Sequence, residues 1–305
     1  MKSINPAVVS LAISGFTAAA LPVAAANNAA AIPDFGGTWA RQAFDFEQPA
    51  SGPGPIGNIV HRPTGIGTSL NMLVGDYTNP ILKPEAAERV WRKGEIARTG
   101  ANYPDPSNQC QIHQVPYVMA GQRHVRLLQQ KDEVVILYEQ DQQVRHVRLN
   151  RQHPARVTPT WWGDSVGHYE GDTLVVDTVG IKVGPVSMVD IYGTPFSEAL
   201  HVVERYRLVD YEIAKSATER AIAESGYRAA TAINEGVLFD PDYTGKGLQV
   251  QFTVEDNGTF TTPWSAAVTY RRSKSEWVEY ACAENTREYY ANRDTAIPVA
   301  DKPDF

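Results

Sequence analysis

Between Arg123 and Asn150 the chain carries three runs of about eight residues, RHVRLLQQ, EVVILYEQ and QVRHVRLN, parted only by Lys131-Asp132 and Asp141-Gln142. Such runs, rich in β-branched and aromatic residues and divided by two polar residues, have the spacing of an antiparallel meander. The pattern continues. SVGHYEGDTLVVDTVG holds two strands about a turn at Glu170-Gly171-Asp172, followed by EALHVVERYRLV, GLQVQFTVED, AAVTYRR and EWVEYAC. Asp256-Asn257-Gly258-Thr259 offers an Asn-Gly step suited to a tight turn. About ten strands with close turns predict a mainly β chain whose sheet closes on itself, because closure removes exposed edges. The 23 Gly, 20 Pro, 14 Tyr and 6 Trp fit that reading better than a helical bundle.

Two segments read as helices. Lys83 to Ala97 has a proline near its start, an early Glu and later basic residues, as the helix dipole favours. Tyr211 to Asn234 is Ala-rich and contains Ser216-Ala217-Thr218-Glu219, the arrangement of a capping box, which predicts a helical insertion between strands, as a lid or a surface helix. Residues 49–68 and 100–110 read as loops.

The N-terminus speaks to compartment. Residues 1–26 begin with Lys2, run apolar from Ala7 to Ala20 and end in Ala24-Ala25-Ala26, which predicts a signal peptide cleaved after Ala26 and a periplasmic or secreted product. No later stretch has the length to span a bilayer, so stable membrane insertion is not expected. The remaining cysteines, Cys110 and Cys282, would pair in an oxidising compartment. Such a tether argues for one β-barrel domain over 27–305. A net charge of −7 supplies no basic footprint for nucleic acid.

Residues with possible chemistry gather between 161 and 206. Period-two alternation places His168 and Glu170 on one face of a strand. It likewise groups His201, Val203 and Arg205 on one face and Val202, Glu204 and Tyr206 on the other. Glu198 lies close enough in sequence to reach His201 around the bend, and Asp190 sits in a Gly-flanked loop. A carboxylate beside a histidine holds one tautomer and raises its basicity, so the set suits general acid–base work, although structural salt bridges explain it as well. Asp172 and Asp177 are candidates for a further carboxylate pair, although turn and strand-edge roles explain each adequately, and Trp161, Trp162, Trp264 and Trp277 are candidates to line a pocket or to fill the core. Metal-ligand spacing, a nucleophile elbow and a phosphate cradle are not found, so no metal and no cofactor are expected.

Gly37-Thr38-Trp39 is similar to the G-x-W opening of calycins, the lipocalin-like barrels. The larger set FGGTW, GHYEGDTLVVDTVG, GTPFSEALHVVERY, TVEDNGTFTTPW and CAEN resembles a mostly uncharacterised family of exported bacterial calycin-like proteins. The resemblance implies a compact barrel with His168, Glu198, His201, Glu204 and Arg205 in its motifs. The chain departs from it at Phe196, where a His is more typical, and in the Tyr211–Asn234 insertion. Together these features predict an exported, cofactor-independent lyase or isomerase acting on a small aromatic or hydrophobic metabolite. His201 would be the acid or base, Glu198 its orienter, Asp190 or His168 the complementary group and Arg205 a charge stabiliser. The alternatives are a lipocalin-like carrier without catalysis and a hydrolase using an activated water.

Overall fold

The computed structural model describes residues 32–41, 43, 45–60, 73–121, 124–224 and 239–282. The predicted leader therefore lies outside the described residues, as does the 225–234 part of the expected helical insertion. The described chain is mainly β, with nine strands closed into one barrel in sequence order. They are β1 (Thr38–Ala40), β2 (Val125–Gln129), β3 (Glu133–Tyr138), β4 (Gln143–Leu149), β5 (Asp164–Glu170), β6 (Thr173–Val179), β7 (His201–Val209), β8 (Gly247–Glu255) and β9 (Trp264–Arg272). The meander expected over 123–150 is β2 to β4, and Gly171 takes φ 62° in the turn that joins β5 to β6.

The sheet is mixed, where a purely antiparallel one was expected. In a ring, alternating direction needs an even number of strands, so nine strands must include a parallel neighbour pair. That pair is β4 with β5, matched at Arg148 with Val166 and Leu149 with Gly167. Parallel neighbours need a crossover, and residues 150–163 provide it. The crossover ends at Gly163, φ +68°, where an added Cβ would lie 2.5 Å from the Val179 carbonyl oxygen. Only glycine lets the two backbones approach this closely.

Other expectations shift locally. Glu276 to Cys282 is irregular, and Asn257-Gly258 lies in an eight-residue connection, 256–263, where the Asp256 carboxylate accepts the Gly258 N–H at 2.9 Å. Helix α1 spans Pro84–Arg98, with proline in its first turn. Helix α2 (Tyr211–Glu224) starts five residues before Ser216, so the expected capping box falls inside it. Thr218 Oγ1 there donates to the Ala214 carbonyl at 2.8 Å. Buried Ala214, Ala217 and Thr218 face the outside of β8 and β9, where α2 packs as a surface helix.

Inside the barrel every second residue packs into one core with Trp39, Tyr206, Phe252, Trp264 and Val268. We call the end where β3 stops and β4 starts the mouth. The turn Tyr117–Ala120 and residues 181–196 contribute Val118, Met119, Ala120, Ile181, Val189, Tyr192 and Phe196 to the same core. Among the described residues no helix is long and apolar enough to cross a membrane.

Cys110 and Cys282 form the expected disulfide, with Cα atoms 5.3 Å apart and a sequence separation of 172. Closing a loop of this length restrains the unfolded chain by roughly 5 kcal/mol in the chain-entropy account. Replacing both cysteines with serine is expected to lower the unfolding free energy by about 2–5 kcal/mol in urea titrations. An unchanged midpoint would mean that the bond restrains little of the unfolded ensemble.

Candidate functional site at the barrel mouth

The sequence-derived candidates separate into several places. Alternation holds as expected on β7: Val202, Glu204 and Tyr206 are buried inside, while His201 and Arg205 face out. His168 Nε2 lies 3.0 Å from Glu170 Oε1, and Arg205 donates to Glu170 Oε2 at 2.7 Å, all three half-exposed on the outer surface. Glu198 sits on an exposed turn. The carboxylates beside His201 are instead Asp177, 2.9 Å from Nε2, and Glu255, 3.5 Å from Nδ1. Asp190 is buried at the mouth, apart from this outer surface chain. Of the tryptophans, Trp264 is core, Trp162 stacks on Tyr138, Trp161 lies under Lys182 and Trp277 under Arg126.

The outer chain continues beyond His201. His153, from the crossover, sets Nε2 3.1 Å from the same Asp177 oxygen and Nδ1 2.6 Å from Asp164, which also accepts Arg148. Two imidazoles thus share one carboxylate oxygen, a relay across β5 to β8 that is partly open to solvent. Among the described residues no group of three or more His, Cys, Asp or Glu side chains is placed to hold a metal ion.

Within the barrel lies a second, dry network. Arg145 is fully buried and donates to both Glu204 oxygens, at 3.1 and 2.5 Å, to Thr178 Oγ1 at 2.6 Å and to Ser165 Oγ at 3.1 Å. Tyr206 donates to Glu204 Oε1 at 2.7 Å. Burial alone would lower the guanidinium pKa, but the Glu204 carboxylate more than offsets it and the pKa ends raised. Burial beside Glu204 likewise lifts the Tyr206 phenol well above its ordinary value. Arg145 was legible in sequence, since it is in phase with the apolar Val147 and Leu149 of β4.

The third group lies at the mouth. Lys93 shares the inward face of α1 with Ala86, Val90 and Ala97, a helical spacing that would have marked it from sequence. Gly193, at φ +82°, keeps clear of the Lys93 stem, which an added Cβ would approach to 2.6 Å. The ammonium donates to the Ile191 carbonyl. Asp190 accepts the N–H groups of Tyr192 at 2.9 Å and Thr194 at 3.2 Å. Burial raises the Asp190 carboxyl pKa against the pull of those bonds and of Lys93, and burial also raises Asp105. The Lys93 pKa is lowered, again by burial, with Asp190 and Asp105 pulling the other way. Tyr117 completes the group, its phenol pushed up by burial and then by Asp105 and Asp190, with Ser107 3.5 Å from its hydroxyl. Tyr192 hydrogen-bonds the Asp45 carboxylate, tying this loop to the segment after β1.

Groups with pKa values displaced toward one another are suited to passing a proton. The arrangement at the mouth therefore offers a carboxyl that keeps its proton to higher pH and an amine that gives one up at lower pH. Comparisons with protein-family models, curated proteins and solved structures find no match.

Two outcomes follow for stability. Glu204→Gln leaves Arg145 buried without its counter-charge and is expected to cost about 3–5 kcal/mol, whereas Arg145→Met with Glu204→Leu costs less than the single change in chemical denaturation. At the mouth, the folded state holds the Asp190 proton above the unfolded value of 3.8, so this group makes stability fall as pH rises from about 4. Lys93, lowered from 10.5, contributes the opposite slope, its penalty fading as pH approaches that value. Asp190→Asn with Lys93→Met should therefore flatten the stability–pH curve between these limits without lowering stability at neutral pH. A curve of unchanged shape would contradict the assignment.

Proposed function

We propose that the chain is an exported, calycin-like barrel enzyme, a cofactor-independent lyase or isomerase that works at the mouth on a small aromatic or hydrophobic metabolite. The Lys93–Asp190 pair carries this reading. Asp190, with its raised pKa, serves as the acid or base at the reacting atom. Lys93, with its lowered pKa, takes up or returns the compensating charge, and Tyr117 stands within the field of the carboxylate. The residues of the GHYEGDTLVVDTVG and GTPFSEALHVVERY motifs support the family reading, and the Cys110–Cys282 bond is of the kind that oxidising compartments preserve. A carrier that encloses its ligand within the barrel is less well supported, because Trp39, Tyr206, Phe252 and Trp264 occupy that interior.

A second reading rests on a specific observation. His201 and His153 share Asp177, the arrangement that orients an imidazole to activate water, and this would make the chain a hydrolase acting on its outer face. The two readings separate by mutation. The purified chain is incubated with candidate metabolites and products are followed by mass spectrometry, with melting temperatures recorded in parallel. Asp190→Asn and Lys93→Met are expected to lose at least about 100-fold of turnover with little change in folding, while His201→Ala retains it. Loss in His201→Ala alone would move the chemistry to the outer relay, and recovery of every ligand unchanged would leave the carrier.

A further inference from the structure

Ser107 sits exposed on the loop between α1 and the Tyr117–Ala120 turn, and an imidazole stands behind it. Its Oγ lies 3.3 Å from His113 Nε2 and 3.5 Å from the Tyr117 hydroxyl. Three other serines are turned to structural partners instead: Ser165 to Arg145 and Thr178, Ser187 to Gln114, and Ser197 to Asp256. A serine hydroxyl open to solvent and within reach of an imidazole has the two elements of an activated nucleophile.

Each member is held by the chain around it. The Asp105 carboxylate accepts the Asn108 N–H at 2.9 Å, and the Asn108 side-chain oxygen accepts the Asp105 N–H at 3.0 Å, so the turn that carries Ser107 is closed from both ends. Cys110, three residues on, ties that turn to Cys282. His113 is 5% exposed, its backbone N–H donates to Gln143 Oε1 at 3.2 Å, and its ring meets Tyr117 edge to face with centroids 5.1 Å apart. Burial first and Asp105 next raise the Tyr117 pKa, so the phenol keeps its proton for donation. A carbonyl lying against Ser107 Oγ would therefore have a base on its nucleophile and a neutral O–H donor near its oxygen.

We propose that Ser107, His113 and Tyr117 form a second catalytic site, which hydrolyses small carboxylic esters through an acyl-serine. His113 Nε2 takes the hydroxyl proton as Ser107 Oγ bonds to the ester carbonyl carbon, and Tyr117 donates to the carbonyl oxygen as it gains charge. The bond from that carbon to the alcohol oxygen then breaks, and the alcohol leaves with the proton from His113. Water repeats the sequence. Its proton passes to His113, its oxygen bonds to the acyl carbon, and Ser107 leaves with that proton, which releases the carboxylic acid. Because Ser107 is exposed while His113 and Tyr117 are buried behind it, the acyl carbonyl meets the protein and the alcohol part faces solvent, which suits a short acyl group. This activity goes beyond the acid–base reading of Lys93 and Asp190, with which it shares only Tyr117.

The test treats the full native chain with diisopropyl fluorophosphate, maps the adduct by tandem mass spectrometry and follows hydrolysis of p-nitrophenyl acetate, with a melting temperature recorded for each variant. A single adduct on Ser107 is expected, and ester turnover that the adduct abolishes. Ser107→Ala removes an exposed hydroxyl, so it should melt like the native chain while losing the adduct and at least about 100-fold of turnover. His113→Gln is expected to slow both labelling and turnover about 100-fold, and Tyr117→Phe to slow turnover by about the same factor. No adduct at millimolar reagent, an adduct on another residue, or turnover retained in Ser107→Ala would overturn the site. Labelling of Ser107 at equal rates in the native and His113→Gln chains would overturn it too, and should His113→Gln fail to fold, Ser107→Ala decides alone.

Discussion

A ring of nine strands cannot alternate in direction all the way round, and the consequence of that parity runs through the molecule. One junction has to be parallel. It falls between β4 and β5, and the chain must cross the barrel's length in residues 150–163 to make it. The crossover brings His153 between Asp164 and Asp177, and Trp162 onto the ring of Tyr138. A hairpin in its place would supply neither, and the outer relay would end at His201.

The barrel interior separates charge by dryness. Arg145 and Glu204 are held in a fork of two bonds with Thr178, Ser165 and Tyr206 filling the remaining valences, so their burial is compensated inside the sheet. A buried pair of this kind specifies register more than it stabilises, since it can form only when β4, β5, β6 and β7 are aligned. The mouth is less completely satisfied. Lys93, Asp105, Asp190 and Tyr117 are buried by loops and one helix face, each with its pKa displaced chiefly by burial.

Much of the fold was legible because strands announce themselves locally. Two-residue gaps defined the β2 to β4 meander, Glu170-Gly171-Asp172 defined the next hairpin, and Pro84 with Glu85 located the start of α1. Alternation sorted β7 correctly into two faces. It could not say which face of a polar strand turns inward, and the expected site gathered His201 and Arg205, which the barrel places outside. The signal that was available, Arg145 in phase with Val147 and Lys93 in phase with Val90, identifies a buried charge only once that face is known to be the core.

By itself the sequence determined a mainly β chain with close turns, two helices, a cysteine pair and the facing of each strand residue relative to its neighbours. These depend on contacts within a few residues, where backbone sterics and period-two geometry suffice. The parallel junction sets Arg148 beside Val166, while the Arg145–Glu204 pair and the bond of Lys93 to the Ile191 carbonyl join residues 59 and 98 positions apart. Such partners are chosen by closure of the whole sheet, which fixes register between distant segments, and only the tertiary structure decided them.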